Sequence, residues 1–591
     1  MTLIPKHPQA RRLDEYRPIM LLEVLRKVYN SIPCSRIETI LTAHAVLNPQ
    51  QFGCKPNSGT EDSLMAVINA IEDNHEFQTE LHITSFDKKK AFDAPFRLGG
   101  LWLAYMRVIG DEHYINFAMD CDKDATIYAK TAYYVHNPTI AKGFKAENGV
   151  AQGDSTSSTN YKLIEDILLD FLVLNHEQSD TFRYTDSTGV RRYQKPSLFM
   201  DDLNTFHASV EGAQHTIHKL ELLGKVFNIH LNPKKCKHLR AVWIANPAKH
   251  PKNPSLKVLQ GNPTDSELFY KPEGSVESLG IPIVPHNESV RILGAQITTG
   301  TSQDSIASAL TTKTRTITSG MAAKRLTLQE TTKVLHTAVF PAIAYPAKFS
   351  ALNQRQYEAI ASPARQLVRT KGHYKLHHNA VVFNNDATSY GESHKDLNDY
   401  IQGNKYAIYQ RMSGGDRVAQ DVVKALMART LRQLGASMEI PSSYVVETPH
   451  IEDNAVKWYS HQTRTLERRA LGLYPPTNPE EAQYLKGLLE PQVATLTWGE
   501  SLVQWIQQGS CNLAAYVPAL AGQYVSPDGT SVENVTATPI LDEIELVMNE
   551  FTREDLIDFQ LQYNLHYVEE LFGAFEDPAS GDVTLQTSSA C

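Results

Sequence analysis

The chain has few cysteines, and they are scattered at positions 34, 54, 121, 236, 511 and 591 of 591 residues. No two form a CxxC pair. That argues against a zinc knuckle and a disulfide framework, and suits a reducing compartment. Nowhere does the chain approach the roughly 18 consecutive apolar residues of a membrane span. Its first residues, Met1 to Pro8, hold no apolar signal core, so no membrane partner and an intracellular location are expected. There is no internal repeat. Nor is there an overall excess of positive charge: the net charge is -9, which on its own argues against a nucleic-acid binder. The average hides a segregation, however. From Lys225 to Lys257 there are eight Lys or Arg and no Asp or Glu, whereas Ser531 to Asp577 carries twelve acids and only Arg553. Screening confines a charge's field to about 8–10 Å, so the local excess is what a phosphate would meet.

What is present is a globular apolar fraction, 42%, over a length that implies roughly three or four domains. The chain is organised around Ser197–Phe206. Leu198-Phe199-Met200 predicts a strand entering a tight turn, and Leu203 to Phe206 predicts the strand leaving it. Asp201 and Asp202 stand between them. Adjacent carboxylates at a hairpin tip are costly unless water or a cation neutralises them. Hard divalent cations such as Mg²⁺ prefer such oxygens. A solvated Asp-Asp turn is the plainer alternative for this stretch alone.

In chain order, Arg11, Arg12, Arg17, Arg26 and Lys27 make a basic arm. Leu21, Leu22, Leu25, Val28, Tyr29 and Ile32 fall on one helical stripe. A loop from Gln51 to Thr60 follows, with Thr60 expected to cap a helix from Glu61 to Glu72. Leu81 to Phe86 alternates as a strand and ends in Asp87, beside Lys88-Lys89-Lys90 and Phe92. A helix is expected over Leu101–Ile109 and a strand over Ala125–Val135. Gly149-Val150-Ala151-Gln152-Gly153-Asp154 is a polar loop whose glycines permit close backbone approach, and Gln152 offers both a donor and an acceptor. Helices are predicted over Tyr161–Leu174 and Ala213–Phe227, with an inserted hairpin near 177–196. Residues 245–285 read as loop and Ser289–Ile297 as one strand. Residues 303–375 read as helical, interrupted by Val339–Pro346. Residues 376–591 read as mainly helical, broken near 413–415.

The order of these pieces resembles the reverse transcriptase family, most closely its non-LTR retrotransposon branch. The match rests on Asp87-x-x-Lys90-Ala91-Phe92-Asp93, Gly149-Val150-x-Gln152-Gly153, Phe199-Met200-Asp201-Asp202, Leu231-Asn232-Pro233-Lys234-Lys235 and Arg291-Ile292-Leu293-Gly294. Upstream, Arg17-Pro18-Ile19 and Gln51-Phe52-Gly53 also match. The resemblance covers about residues 4–300, more loosely to 375. Departures are Ala151 for Pro, Asp154 for Ser and Phe199-Met200 for Tyr-Ala.

The resemblance implies an α/β (α+β) right-hand polymerase. Fingers would be residues 1–80, a palm with an antiparallel sheet 81–300, and a helical thumb 301–375. A helical region of unassigned role would span 376–578, and a disordered tail 579–591. The implied activity is RNA-directed DNA polymerisation, extending a DNA primer on an RNA template with dNTPs. Asp87, Asp201 and Asp202 would bind two Mg²⁺ ions, with Mn²⁺ as a substitute. Lys235 would protonate pyrophosphate, with Lys234 as the alternative. Phe92, Gln152, Gly153, Arg17 and Lys27 would shape the nucleotide pocket. Lys234, Lys237, Arg240, Arg291 and Gly294 would contact nucleic acid. A second reading is a catalytically inactive, retroelement-derived RNA-binding or protein-interaction protein, for which Asp154 is the motive.

Overall fold

The computed structural model describes residues 2–6, 9–12, 15–113, 115–116, 119, 126–127, 144–145, 148–150, 153–174, 180–245, 257–373, 397–434 and 497–499, and short strands beyond 523. The chain divides into two compact units, one made of residues 1–184 and 191–286, the other of 185–190 and 287–591.

The first unit is built on a five-stranded sheet. Its strands are β1 (Leu81–Phe86), β2 (Ser197–Phe199), β3 (Asp202–His207), β4 (Lys237–Ala241) and β5 (Ile283–Val284), in the spatial order β5-β4-β1-β3-β2. β1 lies in the middle, antiparallel to β3 and β4, with Phe86 opposite Leu203 and Thr84 opposite both Thr205 and His238. Only the β4–β5 pairing is parallel. Burial of every β1 side chain except the half-buried Ser85 fits a central strand covered on both faces.

Helix α1 (Val24–Ala43) packs through Ile37 and Leu41 on Leu163 and Leu168 of α3 (Ser157–Leu174) and Phe227 of α4 (Val210–Phe227), and α2 (Thr60–Phe77), α3 and α4 flank the sheet. Leu169 and Leu172 of α3 and Ala213, Ile217 and Leu220 of α4 pack with Phe86, Leu198 and Leu203 into one core. α4 is closed at its start by the Ser209 hydroxyl, which accepts from the Gly212 N–H, and at its end by Asn228 in the left-handed region. The cap of α2 is Gly59, one residue earlier than expected, because the Asp62 carboxylate reaches back to the Gly59 N–H at 2.7 Å. Of the apolar stripe expected from Leu21, only Leu25, Val28, Tyr29 and Ile32 lie on α1, since Leu21 and Leu22 precede its first residue, Val24, and those four are exposed. The hairpin near 177–196 is present as Arg183–Thr185 and Arg191–Tyr193. Within 245–285, read as loop, short strands form at 257–259, 269–270, 279–280 and 283–284. Of the strand expected at Ala125–Val135, only Thr126–Ile127 lies among the described residues.

In the second unit the single strand expected at Ser289–Ile297 is a hairpin, Val290–Ile292 against Ala295–Ile297. Leu293 and Gly294 turn it with φ of 46° and 87°, the two positive angles of a tight hairpin turn. The Tyr345 hydroxyl donates to the Leu293 carbonyl at 2.8 Å. Val339–Pro346 does not interrupt the helices. Phe340–Ala347 is itself helical and continues directly from the π-turn Leu335–Val339, with Pro341 just past the junction and Pro346 inside it. It packs with Asp304–Ala322 and Gln354–Lys371 around Leu310, Leu335, Ile343, Ile360 and Leu367. Helices Leu397–Ser413 and Arg417–Leu434 flank the expected break. Beyond residue 522 the described residues form four short strands: three lie in the region read as mainly helical, and Val583–Thr587 lies in the tail expected to be disordered. Among the described residues, no helix is long and apolar enough to cross a membrane.

Candidate active site

Asp87 leaves the end of β1, and the β1–β3 register, Phe86 opposite Leu203, carries it to the level of Asp202. Asp201 and Met200 form the two-residue turn between β2 and β3, where Phe199 pairs with Asp202. Three carboxylates therefore meet at one end of the sheet. Met200 has φ 57°, a conformation that costs a non-glycine residue energy and is commonly found at functional turns. The strain is held from outside. The Phe52 N–H donates to the Leu198 carbonyl at 2.8 Å, and the Leu198 N–H donates to the Gln50 carbonyl at 3.1 Å. Gly53 then passes so close that a Cβ there would lie 2.5 Å from the Met200 nitrogen.

A second clamp holds Asp87. The Asn232 N–H donates to the Asp87 carbonyl, and the Lys89 N–H to the His230 carbonyl, both at 2.8 Å. The Asp87 N–H donates to Cys236 Sγ at 3.4 Å. This lays the segment 231–236 along Asp87 and brings Lys235 Nζ to 4.0 Å from Asp87 Oδ2. Burial pushes the Cys236 thiol up to about 11, so it acts here as a neutral packing group.

The electrostatics follow from this crowding. Burial, then the charges of Asp201 and Asp87, push Asp202 up to about 6, with Lys88 opposing. Burial raises Asp87 as well. Lys235, an Asn232 hydrogen bond and Lys6 work against that rise, and Asp201 adds to it. Hard oxygen donors whose ionised forms repel one another fit a divalent cation.

A third layer supports the floor. Phe92 stacks on Tyr161, with centroids 4.4 Å apart and planes at 24°. Both belong to a small cluster with Ala91, Val150 and Met200. The Tyr161 hydroxyl donates to Glu165 Oε1 at 2.5 Å, and burial beside Glu165 raises Tyr161 well above its ordinary value. The other oxygen of Glu165 is ion-paired to Lys88, both side chains being buried. The Val150 N–H donates to the Phe92 carbonyl at 2.7 Å. Gly149, at φ 78°, lies so near that a Cβ would meet the Phe92 oxygen at 2.6 Å.

With this geometry in place, the comparisons with known proteins decide the family. Residues 4–297 match the model described as "Reverse transcriptase (RNA-dependent DNA polymerase)". This part of the chain belongs to the reverse transcriptase family. The retrovirus-related Pol polyprotein from the type-2 retrotransposable element R2DM of Drosophila melanogaster is 24% identical over 239 residues, 39% of this chain and 20% of that protein. The retrovirus-related Pol polyprotein from the type-1 retrotransposable element R2 of Popillia japonica is 26% identical over 168 residues, 28% of this chain and 22% of that protein. The matches thus span about a fifth of the length of these curated relatives. A solved telomerase from Candida albicans, in complex with a TWJ fragment of telomeric RNA, covers 70% of this chain and 55% of that chain. It does so at 11% identity and a TM-score of 0.31, too weak a likeness to bear on the fold.

Within this reverse transcriptase domain the residues singled out from the motifs are distributed unevenly. Asp87, Asp201, Asp202, Phe92 and Lys235 converge on the sheet end. Gln152 lies outside the described residues. Gly153, at φ 107°, packs on the Met20 carbonyl, which a Cβ would meet at 2.6 Å. Arg17, Lys27 and Lys234 are exposed, and Lys237 is half-buried on β4. Arg240 is buried, ion-paired to Glu267 and donating to Gln260, so its charge is engaged inside the fold. Arg291 is exposed on the hairpin of the second unit. Asp154 is buried; its carboxylate accepts from the Asn30 amide at 2.8 Å and lies 3.7 Å from Arg26. Motif reading quoted Lys88 and Asn232 without giving them a role and missed Lys6, Tyr161 and Glu165. A signal existed for the last two, because an aromatic and an acid four residues apart share a face of a helix.

Proposed function

We propose that the chain is an RNA-directed DNA polymerase that extends a primer with dNTPs. The observation that carries this is the convergence of Asp87, Asp201 and Asp202 at one sheet end, with Asp202 pushed up to about 6. Asp87, Asp201 and Asp202 would hold two Mg²⁺ ions. Bound there, the ions supply positive charge that favours deprotonation of the primer 3′-hydroxyl and offsets charge on the leaving pyrophosphate. The primer oxygen attacks the α-phosphorus as the bond to the β-phosphate oxygen breaks. Lys235, exposed beyond Asp87, gives its proton to the departing pyrophosphate. Phe92, held flat by Tyr161, lies against the sugar and leaves no room for a 2′-hydroxyl. Arg17, Lys27, Lys234, Lys237 and Arg291 provide salt-dependent phosphate contacts.

In this reading the first unit supplies fingers and palm, and the helices after residue 300 supply a thumb. The pairing of Asp154 with Asn30 and Arg26 gives that acid a structural role, which weakens the motive for an inactive protein. The test is dNTP incorporation on oligo(dT)-primed poly(rA) with Mg²⁺ or Mn²⁺. Incorporation is expected, and it should vanish in the Asp201→Ala, Asp202→Ala double variant. Folded, RNA-binding protein that incorporates nothing with either metal would refute the proposal.

A further inference from the structure

One face of the five-stranded sheet changes character along its length. At the Asp87 end it is apolar, with Phe86 and Leu203 packed under α3 and α4. Alternation along β1 puts His82 and Thr84 on that same face. In register beside them stand Thr205 and His207 of β3 and His238 and Arg240 of β4. His82 and His238 are fully buried and stack with ring centroids 5.2 Å apart. His82 Nδ1 lies 2.9 Å from His238 Nε2. Glu267 brings a carboxylate to the pair, so that one ligand atom from each of the three residues lies within 4.8 Å of the others. Around them His238 Nδ1, Thr84 Oγ1 and Thr205 Oγ1 are buried without a hydrogen-bond partner. Leaving such atoms unmade costs about 1–3 kcal/mol each, and an ion or water is a usual reason for them.

We propose that His82, His238 and Glu267 bind a divalent transition metal, Zn²⁺ by preference, at the opposite end of β1 from the catalytic acids. Two imidazoles and one carboxylate form a zinc donor set, unlike the all-oxygen set at Asp87. Five residues of extended strand separate His82 from Asp87, about 16 Å. The outer partner of a metal histidine is also present: His82 Nε2 meets Glu80 Oε1 at 2.8 Å. A carboxylate there fixes the tautomer that leaves Nδ1 free to ligate. Bonds of about 2.05 Å at a tetrahedral angle need the two nitrogens about 3.3 Å apart, so the rings must part by about 0.4 Å. Arg240 is the competing cation. Its Nε lies 3.3 Å from Glu267 Oε2, while its other end donates to Gln260 at 2.8 Å. Metal binding would leave it on Gln260. The ion would join β1, β4 and the 267 loop, and water completing its coordination would reach the unpaired hydroxyls.

The test is Co²⁺ titration of the metal-stripped full-length chain, read by its visible ligand-field bands, with elemental analysis after Zn²⁺ loading. One equivalent is expected, with a rise in Tm. It should be kept in the Asp201→Ala, Asp202→Ala chain and lost in both His238→Gln and Glu267→Gln. Glu80→Gln, at a partly exposed side chain, leaves folding intact and should weaken affinity about 10–100-fold. No stoichiometric binding by the folded parent chain would overturn the proposal. So would binding that survives His238→Gln and Glu267→Gln.

Discussion

Replacing Gly53 by alanine puts a methyl group against the backbone of the catalytic turn. Its Cβ would lie 2.5 Å from the Met200 nitrogen, 2.9 Å from Cγ and 3.0 Å from Sδ. The two side-chain atoms can swing aside, but the nitrogen cannot. It is tied through Leu198, which is hydrogen-bonded on both sides to the 50–52 segment. Ordinary contact begins near 3.4 Å, so the turn must retreat by about 0.9 Å, and Asp201 is the next residue along. A displacement of about 1 Å at reacting groups costs on the order of 10²-fold in rate. Overpacking of this kind costs about 1–3 kcal/mol, a few degrees in Tm for a unit of this size. Steady-state dNTP incorporation should therefore show kcat reduced about 100-fold. The KM for dNTP should change little, in a chain that still melts cooperatively. A folded Gly53→Ala chain with kcat within threefold of the parent would refute the idea that this glycine positions the turn.

Three further outcomes are expected. Asp202 sits at about 6 in the fold against 3.8 for an ordinary carboxyl. Its raised value means that the contribution of Asp202 to metal-free stability is fully present below pH 4 and is lost as pH rises through about 6, and a divalent metal should restore it. Calorimetry of Mg²⁺ binding in two buffers should find proton release near pH 6 and none at pH 8; equal release at both would exclude Asp202 as a ligand. Asp154→Ser should lower stability by about 1–3 kcal/mol through the lost Asn30 and Arg26 contacts, without raising kcat; a gain in activity would restore Asp154 as a motive for the inactive reading. Tyr161→Ala should remove the backing of Phe92 and lower discrimination against ribonucleotides on the order of tenfold, while Tyr161→Phe, which keeps the ring, should not. Competition assays with paired dNTP and rNTP decide it.

Much of the site was legible because its parts are local. The alternation of Leu81–Phe86 and the acids at 201–202 each announce a strand and a tip within ten residues, and the register aligns them. What could not be read depends on pairings between distant segments. Lys88 meets Glu165 only because β1 and α3 share a core. His82, His238 and Glu267 have no common spacing; sheet register and one loop bring them together. The Leu293-Gly294 turn was hidden inside an apolar run, since leucine rarely takes a left-handed angle. Val339–Pro346 misled because proline usually breaks a helix interior, whereas here the helix runs on through a π-turn at Leu335–Val339 and holds both Pro341 and Pro346.

The sheet order carries a consequence for synthesis. β1 is the central strand and the first of the five to be made, yet its neighbour β3 ends at His207, roughly 120 residues later, and β4 later still. At about 5–20 residues per second a ribosome needs on the order of 6–24 s to supply that partner. Throughout that interval both edges of an apolar strand lie open to other nascent chains. Slower translation lengthens the exposure. The yield of native protein should therefore depend on how fast residues 87–207 emerge and on chaperones that shield them, before any property of the finished fold matters.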